Sequence, residues 1–253
     1  LVVLPLLALS CAVESAPEQE PGPAARLSTY GLFTWDGSQV NWSEEVIPYA
    51  LNTALFSDYT QKERGLWLPP GTSGAYRSDA AFDLPVGAVL IKSFILPADL
   101  RDPDGDKRLL ETRLLIHEED GWKGWPYVWL EDGSDAVLKV AGEVQQLEVI
   151  DSHGELRPFS YLVPQRNQCV DCHELKTESG ERYTTPIGPK ARHLHRLAED
   201  GSGNQLEGWV ARGALDGLPP LDTVEAAFDF GSIEEGGVDA LSPEEITRAA
   251  RDY

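Results

Sequence analysis

A chain of 253 residues can bury one large core or two modest ones, and 42% hydrophobic with 25% charged residues is the balance of a folded protein. Its 21 Lys and Arg face 42 Asp and Glu, and a formal net charge of -21 argues against nucleic acid and against charge-driven adhesion to anionic lipid. That balance fits plain solubility, and it also fits a protein partner with a basic docking patch.

Leu1 to Ser10 is uncharged and nearly all apolar, too short to cross a bilayer as a helix but matched to the apolar core of an export signal. Ser10-Cys11-Ala12 resembles the site at which bacterial lipoproteins are cut and lipidated. Residues 1-11 therefore read as a signal ending on a lipidated Cys11, although Ala8 stands where Leu is usual. Ordinary cleavage near Ala12 or Ala16 is the alternative, and both routes lead to the periplasm or the outer face of a bacterial membrane. There is no Met at all, so the sequence is expected to lack its initiator, and no Met is available as an iron ligand. Residues 12-27, rich in Ala, Pro and Glu, read as a disordered tether.

From 28 to 163 the pattern is that of strands. Gly87 to Leu96 is an apolar run closed by Pro97, Glu111 to His117 partly alternates, and Ala136–Val140 and Val144–Ile150 follow at short intervals between glycine turns. After Pro164 the pattern turns helical, over Lys190–Glu199 and Asn204–Leu215. In Ser242-Pro243-Glu244-Glu245, Ser caps, Pro takes the first helical position and Glu245 reaches back to the cap amide. The helix opened there is still running at Tyr253, so the chain is expected to be cut short at this end too. The fold class expected is α+β: a β-rich domain over 28-163, then an α-helical domain over 164-253.

The chemistry is concentrated in Cys169-Val170-Asp171-Cys172-His173. Two thiols at this spacing can add across the vinyl groups of one haem while the adjacent imidazole faces the iron as its proximal ligand. A thioredoxin-like pair would want an apolar strand before it, and Pro164 to Gln168 is not one. A structural zinc site needs two more ligands; His193 and His195, two apart, would diverge on a helix. A disulfide across two residues would stabilise little. Covalent haem c, one per chain, is the reading preferred, and the α-helical domain over 164-253 that carries it is expected to be cytochrome c-like.

The second axial ligand is open: His193 or His195, a group beyond Tyr253, or none. His117 reads as a solvent-facing strand residue and His153 as part of a solvated turn. Arg101 to Asp106 fails the calcium-loop pattern, since Lys107 and Arg113 stand where Gly and Glu are needed. Trp122, Trp125 and Trp129 read as strand edge and core before they read as a sugar platform.

Several blocks together resemble a family of bacterial di-haem c-type cytochromes of unassigned physiological role. They include Tyr30 to Phe33, Pro48 to Thr53, Leu55 to Tyr59, Ile91 to Phe94, Glu111 to Leu115, Tyr127 to Trp129, Asn167 to His173 and Pro186 to Arg192. The resemblance spans most of 28-253 and implies a second haem motif shortly after a helix like Thr247 to Tyr253. That family shows Asn where this chain has His193 and His195. It also implies that Pro186, placed like the proline of class I cytochromes, offers its carbonyl to the haem histidine. The function expected is electron transfer to a redox protein partner. The alternative is a periplasmic haem enzyme of dehydrogenase or peroxidase type that uses the β-domain as its substrate site.

Overall fold

The computed structural model describes residues 23–53, 57–228 and 241–252. Short strands β1 (Phe33–Trp35) and β2 (Val40–Trp42) form a hairpin that leads into the main sheet. The sheet is built from β3 (Val46–Pro48), β4 (Gln61–Trp67), β6 (Val89–Pro97), β7 (Lys107–Glu118), β8 (Gly121–Trp129) and β9 (Ala136–Leu138). Every neighbour in it is antiparallel, in the order β3-β4-β6-β7-β8-β9, with β5 (Gly74–Ala75) set apart. A long hairpin, β10 (Glu143–Ile150) with β11 (Leu156–Val163), packs Leu147, Val149, Tyr161 and Val163 on Leu96, Leu110 and Val128. The strands expected before residue 164 are present.

Both faces of the sheet are covered, which is why β6 is mostly apolar and buried at every position but Lys92. One face presents Ile91, Leu114 and Trp125, packed with Leu27, Leu32, Val46 and Tyr127. The N-terminal residues close this face: Ala24 O accepts from Tyr127 Oη at 2.8 Å, and Ala25 O from Leu138 N at 3.0 Å. The last residues assigned to the tether are thus bound to the sheet, while Cys11, the signal and residues 12-22 lie outside the described residues.

The opposite face is ruled by strand register into rows. Leu66, Leu90, Leu115 and Gly124 stand directly opposite one another across β4, β6, β7 and β8. Two residues along each strand, and so on the same face, Arg64, Lys92, Arg113 and Pro126 form the next row. The apolar row packs against Ala191, Leu194, Leu206, Trp209, Ala214 and Leu215 from the C-terminal part of the chain.

That C-terminal part corrects the expected fold class. The chain is β-rich, 38% strand against 17% helix, with four short helices and no extended helical domain among the described residues. These are α1 (Cys169–His173), α2 (Ala191–Leu194), α3 (Gln205–Ala211) and α4 (Pro243–Asp252). Between them lie a hairpin of β12 (Glu174–Lys176) and β13 (Arg182–Thr184), and β14 (Leu215–Asp216), which pairs in parallel with β5.

The reason is punctuation that outweighs helical periodicity. Pro186, Gly188 and Pro189 keep the chain extended before α2. His195 leaves helical space at ψ 75°, so the helix expected over 190–199 makes one turn. Asn204 caps α3 by accepting from Leu206 N at 3.0 Å, and Gly213 (φ 69°) follows its end. The capping box forms as expected, with Ser242 N donating to Glu245 Oε2 at 2.8 Å and Glu245 N donating to Ser242 Oγ at 3.2 Å.

Candidate haem attachment site

A 3-10 turn, Arg166–Gln168, runs directly into α1. Helical geometry puts residues three and four apart on one face. Cys169 thus shares a face with both Cys172 and His173, as two sulfurs and one imidazole serving a single macrocycle require. The motif is anchored to the β8 edge. The Arg166 guanidinium lies 4.1 Å from the centre of the Trp125 ring, while Cys169 packs over Gly124 on the other face. A Cβ on Gly124 would stand 2.8 Å from the Cys169 sulfur, so glycine at the end of the apolar row is what lets α1 approach.

His173 is oriented by the following hairpin. With Glu174 paired to Thr184, the next register position brings Thr185 to His173: Thr185 N donates to His173 O at 2.8 Å, and His173 Nδ1 lies 2.9 Å from Thr185 O. A carbonyl only accepts, so Nδ1 carries the proton and Nε2 keeps a free lone pair. The carbonyl is that of Thr185, one residue before Pro186, which lines the adjoining cavity instead. Burial, with Lys92 and Arg113 nearby, pushes the His173 pKa down despite the Thr185 bond, so the ring is neutral at pH 7. Burial pushes the Cys169 thiol up, the reverse of an activated redox cysteine. Cys172 is exposed.

His173 opens on a cavity of about 300 Å³ between the sheet face and the C-terminal segment, the size class of small-molecule sites. Leu90 and Leu115 of the apolar row and Arg64, Lys92 and Arg113 of the next row are its floor. Pro186 to Lys190, Thr53 and the end of α4 close it.

His193 lines the same cavity and is 8% exposed; His195 does not line it. The Thr53 hydroxyl donates to Asp252 O at 2.8 Å, which leaves its oxygen to accept from His193 Nδ1 at 3.4 Å. His193 therefore repeats the arrangement at His173: a protonated Nδ1 tied to the protein and a free Nε2. Burial first, then Arg192, pushes its pKa down to about 4. His195 turns away and bonds Val224 O at 3.1 Å.

A haem fits these residues. Two neutral imidazoles of matching tautomer share one cavity, with the two thiols on the turn that carries one of them. The apolar row offers a flat floor and the cationic row suits a ligand with carboxylates. Among the described residues no cluster of His, Cys, Asp and Glu could hold a zinc ion.

The remaining residues singled out in the sequence have structural partners. His117 stacks on Trp122 at 4.5 Å between centroids and 7° between planes, with Nδ1 on Leu84 O, so it is not solvent-facing. Trp125 and Trp129 sit on the opposite face of β8 from Trp122 and share no platform with it. The His153 amide donates to Asp151 Oδ1 within its turn. Sequence reasoning missed Thr185, Thr53, Gly124 and the cationic row. The one available signal was Lys92 inside the apolar run Val89 to Phe94, where a lysine is seldom placed without purpose.

The chain matches no protein-family model, no curated protein and no solved structure.

Proposed function

We propose that the chain is an exported c-type cytochrome that transfers electrons through one haem held by Cys169, Cys172 and His173. The observation that carries this reading is the His173 Nδ1 bond to Thr185 O at the mouth of a cavity that also holds His193. It fixes the tautomer an iron ligand needs, on an imidazole that lines the cavity a macrocycle attached to the same helical turn would enter. The resemblance to di-haem cytochromes supports the same reading. Export, lipidation at Cys11 and a partner with a basic docking patch belong to this proposal; among the described residues no helix is long and apolar enough to cross a membrane.

When bound, haem c supplies a reversible one-electron couple. The protein's part is to hold it covalently, to keep both imidazoles neutral and to pack the sheet face against it. His193, which lines the same cavity as His173, would help to hold the iron in this reading, and an iron held by two imidazoles would favour a carrier over a peroxidase or dehydrogenase.

The test uses the chain matured with covalent haem. A carrier gives a low-spin spectrum in both oxidation states, no carbon monoxide adduct on mixing and no peroxide turnover. A high-spin ferrous form that binds carbon monoxide at once and turns over peroxide would replace the carrier with the enzyme.

A further inference from the structure

We infer that the row Arg64–Lys92–Arg113 is a carboxylate-binding site, whose occupant within the haem reading above is the propionate edge of the haem. Strand register sets these three cations directly opposite one another on β4, β6 and β7. Like charges opposite one another destabilise a sheet, which normally places opposite charges there. Among the described residues only Arg113 of the three has a hydrogen-bonded carboxylate, that of Glu111, which also accepts from Tyr161 Oη at 2.7 Å and is fully buried; Glu63 and Glu199 act on Arg64 through space alone.

Lys92 has no hydrogen bond or ion pair among the described residues. Its ammonium lies 4.9 Å from the centre of the Phe94 ring, in a cavity wall, in a chain with twice as many acids as bases. Among the described residues the only side-chain hydrogen bond of Arg64 is a 3.5 Å contact from Nη1 to Lys62 O. Lys190 adds a further cation from above. Arg251 and Asp252 also face the cavity, but each is engaged: Arg251 pairs with Glu225, and Asp252 with Arg192 and Arg251. Burial and the neighbouring Arg64 and Arg113 push the Lys92 pKa down to about 7, so the site is charged most fully when an anion shares it.

Position selects the kind of anion. Cys169 lies over Gly124 at the β8 end of the rows. From Arg113 the cations lead away from it across two strand spacings, roughly 10 Å. In haem c the carboxylates lie on the edge opposite the thioether bonds, so a macrocycle tethered at Cys169 turns its carboxylates toward Lys92 and Arg64. Its ring would then adjoin Leu90 and Leu115, which line the cavity. The guanidinium fork of Arg64 takes a carboxylate with two parallel bonds, and Lys92 supplies a point charge beside it. A free small carboxylate would use the same chemistry.

The experiment separates the two sources and separates both from the haem reading. Wild type, K92Q, R64Q and the charge-keeping K92R are matured with haem. Each is titrated potentiometrically from pH 5 to 9, then titrated with succinate while the Soret band is followed. Propionate occupancy predicts that K92Q and R64Q keep covalent haem but have a lower potential that acquires a new pH dependence. K92R follows wild type, and succinate changes nothing. A saturable succinate response in wild type, absent in K92Q, assigns the site to a free carboxylate and overturns the propionate assignment. If wild type takes up no covalent haem, the functional reading fails by itself. Succinate must then still raise the melting temperature of the haem-free full chain in wild type and not in K92Q. Potentials unmoved in both variants with no succinate response, or no succinate stabilisation of a haem-free chain, overturn the site.

Discussion

Acid should expose the cost of burying His193. Its folded pKa is about 4 against the ordinary 6.5, chiefly because burial penalises the imidazolium and Arg192 repels it. The unfolded chain takes up this proton below 6.5 and the folded chain only below 4, so the contribution is complete above 6.5 and is lost as pH falls between the two. At about 1.4 kcal/mol per pH unit, the loss is about 2 kcal/mol at pH 5 and approaches about 3 kcal/mol below pH 4. Many carboxylates also titrate in this range, so the assay is a difference: urea unfolding of the haem-free chain and of H193N, at pH 7.5, 6, 5 and 4.5. Whatever constant offset separates H193N from wild type at neutral pH, H193N should close on wild type, or overtake it, by about 2 kcal/mol at pH 5. Parallel stability curves for the two proteins over this range would refute the burial argument.

In the haem-loaded protein, H193A should convert a low-spin spectrum to a high-spin one and H195A should leave it unchanged, because only His193 lines the cavity. G124V should sharply reduce the yield of covalent haem in a matured preparation, since even a Cβ at this position stands 2.8 Å from the Cys169 sulfur. E111Q leaves Arg113 without its buried carboxylate partner and should cost about 3 kcal/mol in urea unfolding, with K92Q in the same background recovering part of the loss.

The strands were legible because their signals are local. Gly87 to Pro97 and Glu111 to His117 carry the residues that a half- or fully buried strand needs, and turn residues separate them. The Cys169 to His173 pentapeptide is a local signal of the same kind. The C-terminal segment carries helical periodicity over 190–199 and 204–215, but the prolines and glycines around it hold the helices there to Ala191–Leu194 and Gln205–Ala211. What decides the site is not local. Thr185 reaches His173 through a hairpin register, Thr53 reaches His193 across 140 positions, and the cationic row exists only when three strands align. A single chain read in order shows Arg64, Lys92 and Arg113 as scattered charges. Which of His193 and His195 lines the cavity likewise depends on where the one-turn α2 ends, which spacing alone does not reveal.

The most direct test of the central claim is a pyridine haemochrome spectrum, with intact mass, on the chain co-expressed with a c-type maturation system. The prediction is one haem c per chain, retained through acid–acetone extraction, with the mass of two thioether bonds at Cys169 and Cys172 and none in the C169A/C172A variant. A full-length, folded product without covalent haem, with both thiols still titratable, would contradict it.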